Sequence, residues 1–186
     1  MNKPRAQRNQ TITLTSEERD MLRKQIAYAD AWEPTRWENA IVCAPLLEVI
    51  DRVPDGVADL IIIDPPYNLA KDFGGLSFSA ISSDKYIAYL RTWFDKVCDK
   101  LKPTGTLYMC GDWKCTAALQ TVIEERLTIL NRITWQREKG RGARANWKNG
   151  MEDIWFAVKD PHNYYFDVES VKQRRRVLAP YRINGE

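Results

Sequence analysis

Apolar residues recur along this chain with two different spacings, and the change of spacing separates predicted strands from predicted helices. The run ADLIII, residues 58–63, is too short and too β-branched for a helix, so it predicts a strand buried on both faces, as in a parallel sheet. The stretch 84–102 is amphipathic instead. Its apolar side chains recur at helical spacing: Tyr86, Leu90, Trp93, Phe94, Val97 and Leu101. The two patterns predict a buried strand followed, beyond a glycine-rich loop at 69–83, by a helix.

The other segments continue the same alternation. Further strands are predicted at 40–43, 106–111, 129–137, 152–159 and 163–168, and further helices at about 45–51 and 114–127. A basic loop is predicted from Glu138 to Gly150. Strand and helix in alternation are typical of an open, mostly parallel α/β sheet with flanking helices.

The N-terminal segment predicts a capped helix. Thr15 and Glu18 have the spacing of a capping box, in which each side chain bonds the backbone N–H of the other residue. The apolar positions that follow fit one helical face as far as Ala29, so the helix is predicted to end before Pro34. Residues 1–14 predict a loose basic arm.

Composition favours one globular domain, because 44% of the 186 residues are hydrophobic and 11% are aromatic. A net charge of +3 does not by itself indicate a polyanionic partner. The basic residues are clustered, however, at 3–8, 137–148 and 172–182. Such clusters are consistent with phosphate-binding surfaces, although an ordinary solvated face or tail is the favoured interpretation of any single one.

Several classes of protein are disfavoured. The four cysteines lack Cys-x-x-Cys spacing and His162 is the only histidine, so no metal site is predicted. No apolar run reaches the roughly 18 residues of a membrane span. The polar N-terminus shows no signal peptide, and we expect a cytoplasmic protein with reduced thiols.

The candidate chemistry follows the strand at 58–63. Asp64 supplies a carboxylate at the carboxyl end of that strand, where open α/β sheets bind their ligands. Pro65 and Pro66 have no N–H, so the local carbonyls lack a neighbouring donor, and Tyr67 adds a flat ring. These residues suit a planar ligand with an exocyclic amine. The alternative is a tight turn whose acid caps the next helix.

The segment VADLIIIDPPYN resembles the DNA amino-methyltransferases, which modify adenine N6 or cytosine N4 and carry an Asp/Ser-Pro-Pro-Tyr/Phe/Trp motif. The resemblance continues in YLRTWFDKVCDKLKPTGTLYM, ITWQREKG, GMEDIWFAVK and YYFD, and it covers about residues 38–168. It implies a Rossmann-like methyltransferase fold that uses S-adenosylmethionine and acts on double-stranded DNA. Aspartate in the motif favours adenine, with cytosine as the alternative.

The resemblance also implies roles for individual residues. The catalytic set is Asp64, Pro65, Pro66 and Tyr67, with Asp64 and Asn68 also next to the cofactor. Asp64 and the Pro65 carbonyl would accept the amino hydrogens of a base that has left the duplex, and Tyr67 would stack on that base. Contacts to the target base or to DNA are expected from Trp147, Arg137, Lys139, Arg141, Arg144 and Lys148.

The family's cofactor half is not evident in this sequence. Neither its Phe-x-Gly-x-Gly-like turn nor its ribose-binding acid is found, and Ala44 stands where the family commonly has an acid. The resemblance therefore implies an incomplete fold: a basic arm at 1–14, a catalytic region at 15–168 and a basic segment at 169–186 that begins a recognition region or contacts a partner. A second protein chain would carry the glycine-rich motif. The alternatives are a degenerate module that only binds nucleic acid or serves a structural role, and an unrelated α/β protein that binds a small amine.

Overall fold

The computed structural model describes residues 12–33, 38–72, 77–141, 147 and 149–173, and for 71–72, 77–78 and 138–141 it describes the backbone only. Its helices are α1 (Ser16–Arg23), α2 (Leu46–Val49), α3 (Ser83–Lys100), α4 (Thr116–Glu124) and α5 (Val168–Val171), with a 3-10 turn at Ile50–Arg52. Its strands are β1 (Ile26–Tyr28), β2 (Ile41–Cys43), β3 (Ala58–Ile63), β4 (Lys71–Asp72), β5 (Ser77–Phe78), β6 (Leu101–Gly111), β7 (Thr128–Arg141) and β8 (Asn149–Val158).

The main sheet has four strands in the order β3-β6-β8-β7. Strand β3 runs parallel to β6, whereas β8 is antiparallel to both β6 and β7. The predicted α/β class with flanking helices is confirmed, but the sheet is mixed rather than mostly parallel. The segment 142–148 that joins β7 to β8 is shorter than the dozen or so residues that a parallel crossover needs, so these two strands form a hairpin.

One face of the sheet is covered by α3 and α4. The six helical positions predicted from spacing are all buried: Tyr86, Leu90, Trp93, Phe94, Val97 and Leu101. They form one cluster with Leu107 and Met109 of β6, Ala157 of β8 and the buried face of α4. This cluster fixes β3 and β6 against the helices, and with them the turns at their carboxyl ends.

Strand β3 occupies its predicted position but is covered on one face only. Ile61 and Ile63 pack against the core, whereas Leu60 is 52% exposed and Ile62 is 68% exposed. The prediction that both faces are buried is therefore wrong for this structure. Within the described sheet β3 is an edge strand, because it pairs with β6 and with no other described strand.

The N-terminal helix is shorter than predicted. Its capping box is present, with the Thr15 N–H donating to Glu18 (2.8 Å) and the Glu18 N–H donating to Thr15 Oγ1 (3.2 Å). The helix ends at Arg23, and Ile26–Tyr28 forms β1, which pairs in parallel with β2. No residue of α1 is buried, so packing does not extend the helix, and strand pairing prevails over the helical pattern.

Two other boundaries differ from the prediction. The loop predicted at 138–150 is shorter, because β7 continues to Arg141 and β8 begins at Asn149. The strand predicted at 163–168 is absent from that described segment, which leads into α5 with Asp167 accepting the Ser170 N–H (3.0 Å) as cap. Most of the predicted basic arm and C-terminal segment, residues 1–11 and 174–186, lies outside the described residues. No helix in the described part of the chain is long and apolar enough to cross a membrane.

Candidate active site

The acid of the Asp-Pro-Pro-Tyr segment lies immediately after β3, on the exposed side of a tight turn. Asp64 is exposed, Pro65 is buried beneath it, and Tyr67 is half-buried against the core. The Asp64 carboxylate therefore faces solvent, while the proline that follows it is anchored in the protein interior. This is the carboxyl edge of the parallel β3–β6 pair, where a ligand site is expected.

Two neighbouring elements hold the turn. The Tyr86 hydroxyl, on α3, donates to the Pro66 carbonyl oxygen at 2.9 Å. The Asn68 side-chain amide bonds Ile81 twice, donating to its carbonyl (2.7 Å) and accepting from its N–H (2.8 Å). Both polar ends of the Asn68 amide are thus engaged within the protein, so Asn68 shapes the wall of the site.

Tyr67 lies beside the acid. Burial raises the pKa of Tyr67 well above its ordinary value, and a hydrogen bond to Asp64 raises it further. The Tyr67 hydroxyl therefore remains a donor at physiological pH and aims at the Asp64 carboxylate. Tyr67 and the strand-end acid are therefore neighbours in the site and form one unit.

A cleft of about 870 Å³ opens in front of this unit. Three segments form most of its lining: the motif (Asp64, Tyr67, Asn68), the turn after β6 (Asp112, Trp113, Lys114) and the β7–β8 hairpin (Arg137, Asn149, Met151, Glu152). Leu69, Ala70, Ala80 and Ile81 complete it. A volume of several hundred Å³ is ample for a nucleobase-sized ligand. The lining is rich in hydrogen-bond acceptors, with carboxylates from all three segments.

The turn after β6 has no recognisable motif in the sequence. Asp112 caps it, accepting the N–H groups of Lys114 (2.9 Å) and Cys115 (3.1 Å). Trp113 is 59% exposed, and the Lys114 ammonium lies 5.7 Å from the centre of its ring. The one available signal is positional: two strands joined by a helix usually lie side by side in a parallel sheet, and their carboxyl ends then meet at the same edge.

The expected DNA contacts are brought to the cleft only in part. Arg137 lines the cleft but forms an ion pair with Glu152, and Trp147 is 95% exposed. The side chains of Lys139 and Arg141, and the whole of Arg144 and Lys148, lie outside the described residues. Among the described residues, no group of three or more His, Cys, Asp or Glu could hold a metal ion.

The site thus places a carboxylate at a strand end of an α/β fold, beside an aromatic ring and facing an acceptor-rich cleft. A family profile described as DNA methylase, N6_N4_Mtase, matches residues 58–179. The match includes β3, the motif, both helices of the core and the β7–β8 hairpin. This chain belongs to that family of DNA methylases.

Individual proteins similar to this chain are also named as methyltransferases. The chain is 31% identical over 161 residues to the DNA adenine methyltransferase YhdJ of Escherichia coli (strain K12), a match that covers 82% of this chain and 54% of YhdJ. It is 26% identical over 137 residues to the type II methyltransferase M.HpaI of Haemophilus parainfluenzae, covering 73% of this chain and 43% of M.HpaI. The chain spans about half the length of these curated relatives.

A solved structure shares the fold. The PvuII DNA methyltransferase (cytosine-N4-specific) superposes with a TM-score of 0.51 at 16% identity. The match covers 68% of this chain and 52% of that one. At this identity the likeness concerns architecture only, and it again extends over about half of the other protein.

Proposed function

We propose that this chain is the catalytic half of a DNA methyltransferase that transfers a methyl group from S-adenosylmethionine to adenine N6 of a base flipped out of duplex DNA. The observation that carries the proposal is Asp64, an exposed carboxylate at the carboxyl end of β3 with the Tyr67 ring beside it. Membership of the DNA methylase family supports it. Aspartate as the first residue of the motif is the reason for favouring adenine.

Asp64 and the Pro65 carbonyl would act on the reacting nitrogen. The lone pair of an adenine amino group is delocalised into the ring, which makes the nitrogen a weak nucleophile. Accepting both N–H bonds favours a tetrahedral nitrogen whose lone pair is free to attack. Positioning and fixed acceptors would therefore supply most of the acceleration, and no strong base is required.

Tyr67 and the turn after β6 would hold the base. Flipping a base costs a few kcal/mol, and stacking on an aromatic ring returns about 1–3 kcal/mol. Trp113 offers a second exposed aromatic surface in the same cleft, with the Lys114 cation adjacent to it for a phosphate. The cleft thus combines carboxylates, two aromatic rings and the Lys114 cation, which together suit a nucleotide.

The described residues fit the cofactor at its reacting end only. S-adenosylmethionine supplies an electrophilic methyl group on a cationic sulfonium. The acidic lining from Asp64 and Asp112 suits such a cation. No glycine-rich turn that would cradle the methionine portion lies among the described residues that line the cleft, and Ala44 offers no carboxylate. The remaining contacts belong to another unit.

The open side of β3 indicates where that unit would bind. The sequence β2–α2–β3 has the connectivity of a β-α-β unit, yet β2 pairs with β1 and β3 pairs with β6. Within the described part of the chain the two strands belong to separate sheets. We propose that the strands of a cofactor-binding half, on a second protein chain, pair with the free edge of β3, and that the elements packed on those strands cover the sheet face on which Leu60 and Ile62 are exposed.

The test is methylation by the assembled protein. This chain and a candidate cofactor half are purified together, incubated with S-adenosylmethionine and duplex DNA, and the DNA is digested to nucleosides for mass spectrometry. N6-methyladenine is expected, and an Asp64→Ala complex serves as the control. N4-methylcytosine would reassign the substrate. DNA binding without any methylation in the assembled wild type would leave a nucleic-acid-binding module and refute the enzyme.

A further inference from the structure

The Pro66 carbonyl of the motif is hydrogen-bonded by a side chain from a neighbouring helix. Neither proline has an N–H, so these two residues donate no backbone hydrogen bond of their own. The Pro66 carbonyl receives its hydrogen bond from the Tyr86 hydroxyl at 2.9 Å. Tyr86 is 3% exposed and belongs to the apolar cluster beneath the sheet. A buried hydroxyl is costly unless it is hydrogen-bonded, and the partner of this one is the motif.

The hydroxyl belongs to a wider set of anchors. Cys115, at the start of α4, donates its thiol to the Asp112 carbonyl oxygen (3.5 Å). Burial raises the pKa of Cys115 to about 12, and its sulfur also lies within hydrogen-bonding range of the Asn68 backbone. The Tyr86 hydroxyl lies next to this thiol. Residues 66–68 are therefore held from α3 through the Tyr86 hydroxyl and from Ile81 through the Asn68 amide.

We propose that Tyr86 is a positioning residue for methyl transfer. Its hydroxyl fixes the Pro66 peptide plane, and that plane sets how Asp64 and Tyr67 face the cleft. The inference rests on the proposed function, because its consequence is the geometry of the reacting nitrogen. A displacement of about 1 Å at a reacting centre costs on the order of 100-fold in rate.

The surroundings of the Tyr86 hydroxyl should allow its removal without unfolding the protein. A catalytic effect of the substitution can then be distinguished from a loss of stability. A small cavity of about 130 Å³ adjoins the turn and is lined by Pro66, Tyr67, Tyr86 and Tyr89 among others. It is large enough for water, so a water molecule can replace the lost donor when Tyr86 becomes Phe. The apolar ring still fills the core. The variant is therefore expected to fold while its turn becomes less rigid.

Tyr89 supplies a matched control. It lies on the same helix, is 40% exposed, and stacks on Tyr86 with 6.1 Å between ring centres. In the assembled enzyme, Tyr86→Phe should lower kcat by about 10- to 100-fold, with the KM for S-adenosylmethionine and the Kd for DNA unchanged. Tyr89→Phe should behave as wild type. Replacing Tyr86 with p-aminophenylalanine, which keeps a donor at the ring tip, should restore most of kcat.

Hydrogen exchange tests the anchor without depending on activity. In the chain itself, the amides of Asn68 and Leu69 should exchange faster in Tyr86→Phe than in Tyr89→Phe. Faster exchange with normal kcat would overturn the positioning role, and unchanged exchange would overturn the anchor. Failure of the p-aminophenylalanine variant to recover kcat would overturn donation as the cause. An inactive wild-type complex would refute the proposed function, while the exchange experiment would still decide the anchor.

Discussion

The exposed side of β3 gives the sharpest prediction about assembly. Leu60 and Ile62 are 52% and 68% exposed. Their combined exposed surface is therefore slightly larger than that of one fully exposed apolar side chain. At about 1.5–3 kcal/mol for each fully buried side chain, this surface is worth about 2–4 kcal/mol in the proposed interface. Replacing both residues with Lys, which natural edge strands use against pairing, should weaken association with the cofactor half by about 30- to 700-fold.

The assay is titration calorimetry of this chain against the cofactor half, with thermal melting of each variant alone. Tyr165→Lys is the matched control, because Tyr165 is 79% exposed and lies in the segment before α5, outside the described sheets. The control should bind as wild type, and all three chains should melt at similar temperatures. Unchanged affinity in the double variant would mean that the cofactor half does not cover β3. Tight binding of S-adenosylmethionine by the chain alone would mean that no second half is needed.

Three further predictions concern single side chains. Asp64→Ala should lower kcat by about 100-fold or more while fluorescence-measured DNA binding is retained, and near-normal turnover would contradict the assigned role. Tyr67→Ala should lose about 1–3 kcal/mol of base capture, measured with DNA mismatched at the target, whereas Tyr67→Phe should be milder because it keeps the ring. Burial raises the pKa of Cys98 and Cys115 to about 12, so at pH 8 iodoacetamide should label exposed Cys43 first and these two only on unfolding. Above about pH 9 the thiols ionise in the unfolded chain but stay neutral in the folded one, so the free energy of unfolding should fall as pH rises from about 9 to about 12. Thermal melting across that pH range would detect the loss.

Helix α3 shows what the sequence is able to specify. Its apolar residues share one face at helical spacing, its cap is Ser82, and one partner surface buries the whole stripe. Local propensity and tertiary packing agree, so the prediction is confirmed from Tyr86 to Val97, whereas Leu101, predicted in the helix, is buried as the first residue of β6. Strand β3 is also predicted correctly as a strand, but the exposure of one of its faces is not predicted. Its continuous apolar run is the pattern of a strand covered on both sides, and the described residues cover one.

The errors occur where tertiary pairing competes with a local pattern. Ile26 continues the helical spacing of α1, yet it pairs with Ile41 in a parallel ladder, because α1 has no buried face to stabilise a longer helix. Asp112 and Trp113 were not predicted for the opposite reason. Nothing in their local sequence is distinctive, and they reach the cleft only because β6 lies beside β3. Residues that meet only because their strands are neighbours in the sheet cannot be found by searching for local sequence motifs.

In the proposed enzyme, one strand serves both catalysis and assembly. Asp64 follows β3 directly, and β3 is held on one side by β6, with an irregularity in the pairing between Ala58 and Leu60. An edge strand with one partner has fewer constraints on its end than a central strand has. Adding strands of the proposed cofactor half to the free side would fix the position of Asp64 from both directions. The partner would then do two things at once, because the strands that bring the cofactor would also make rigid the acid that faces it.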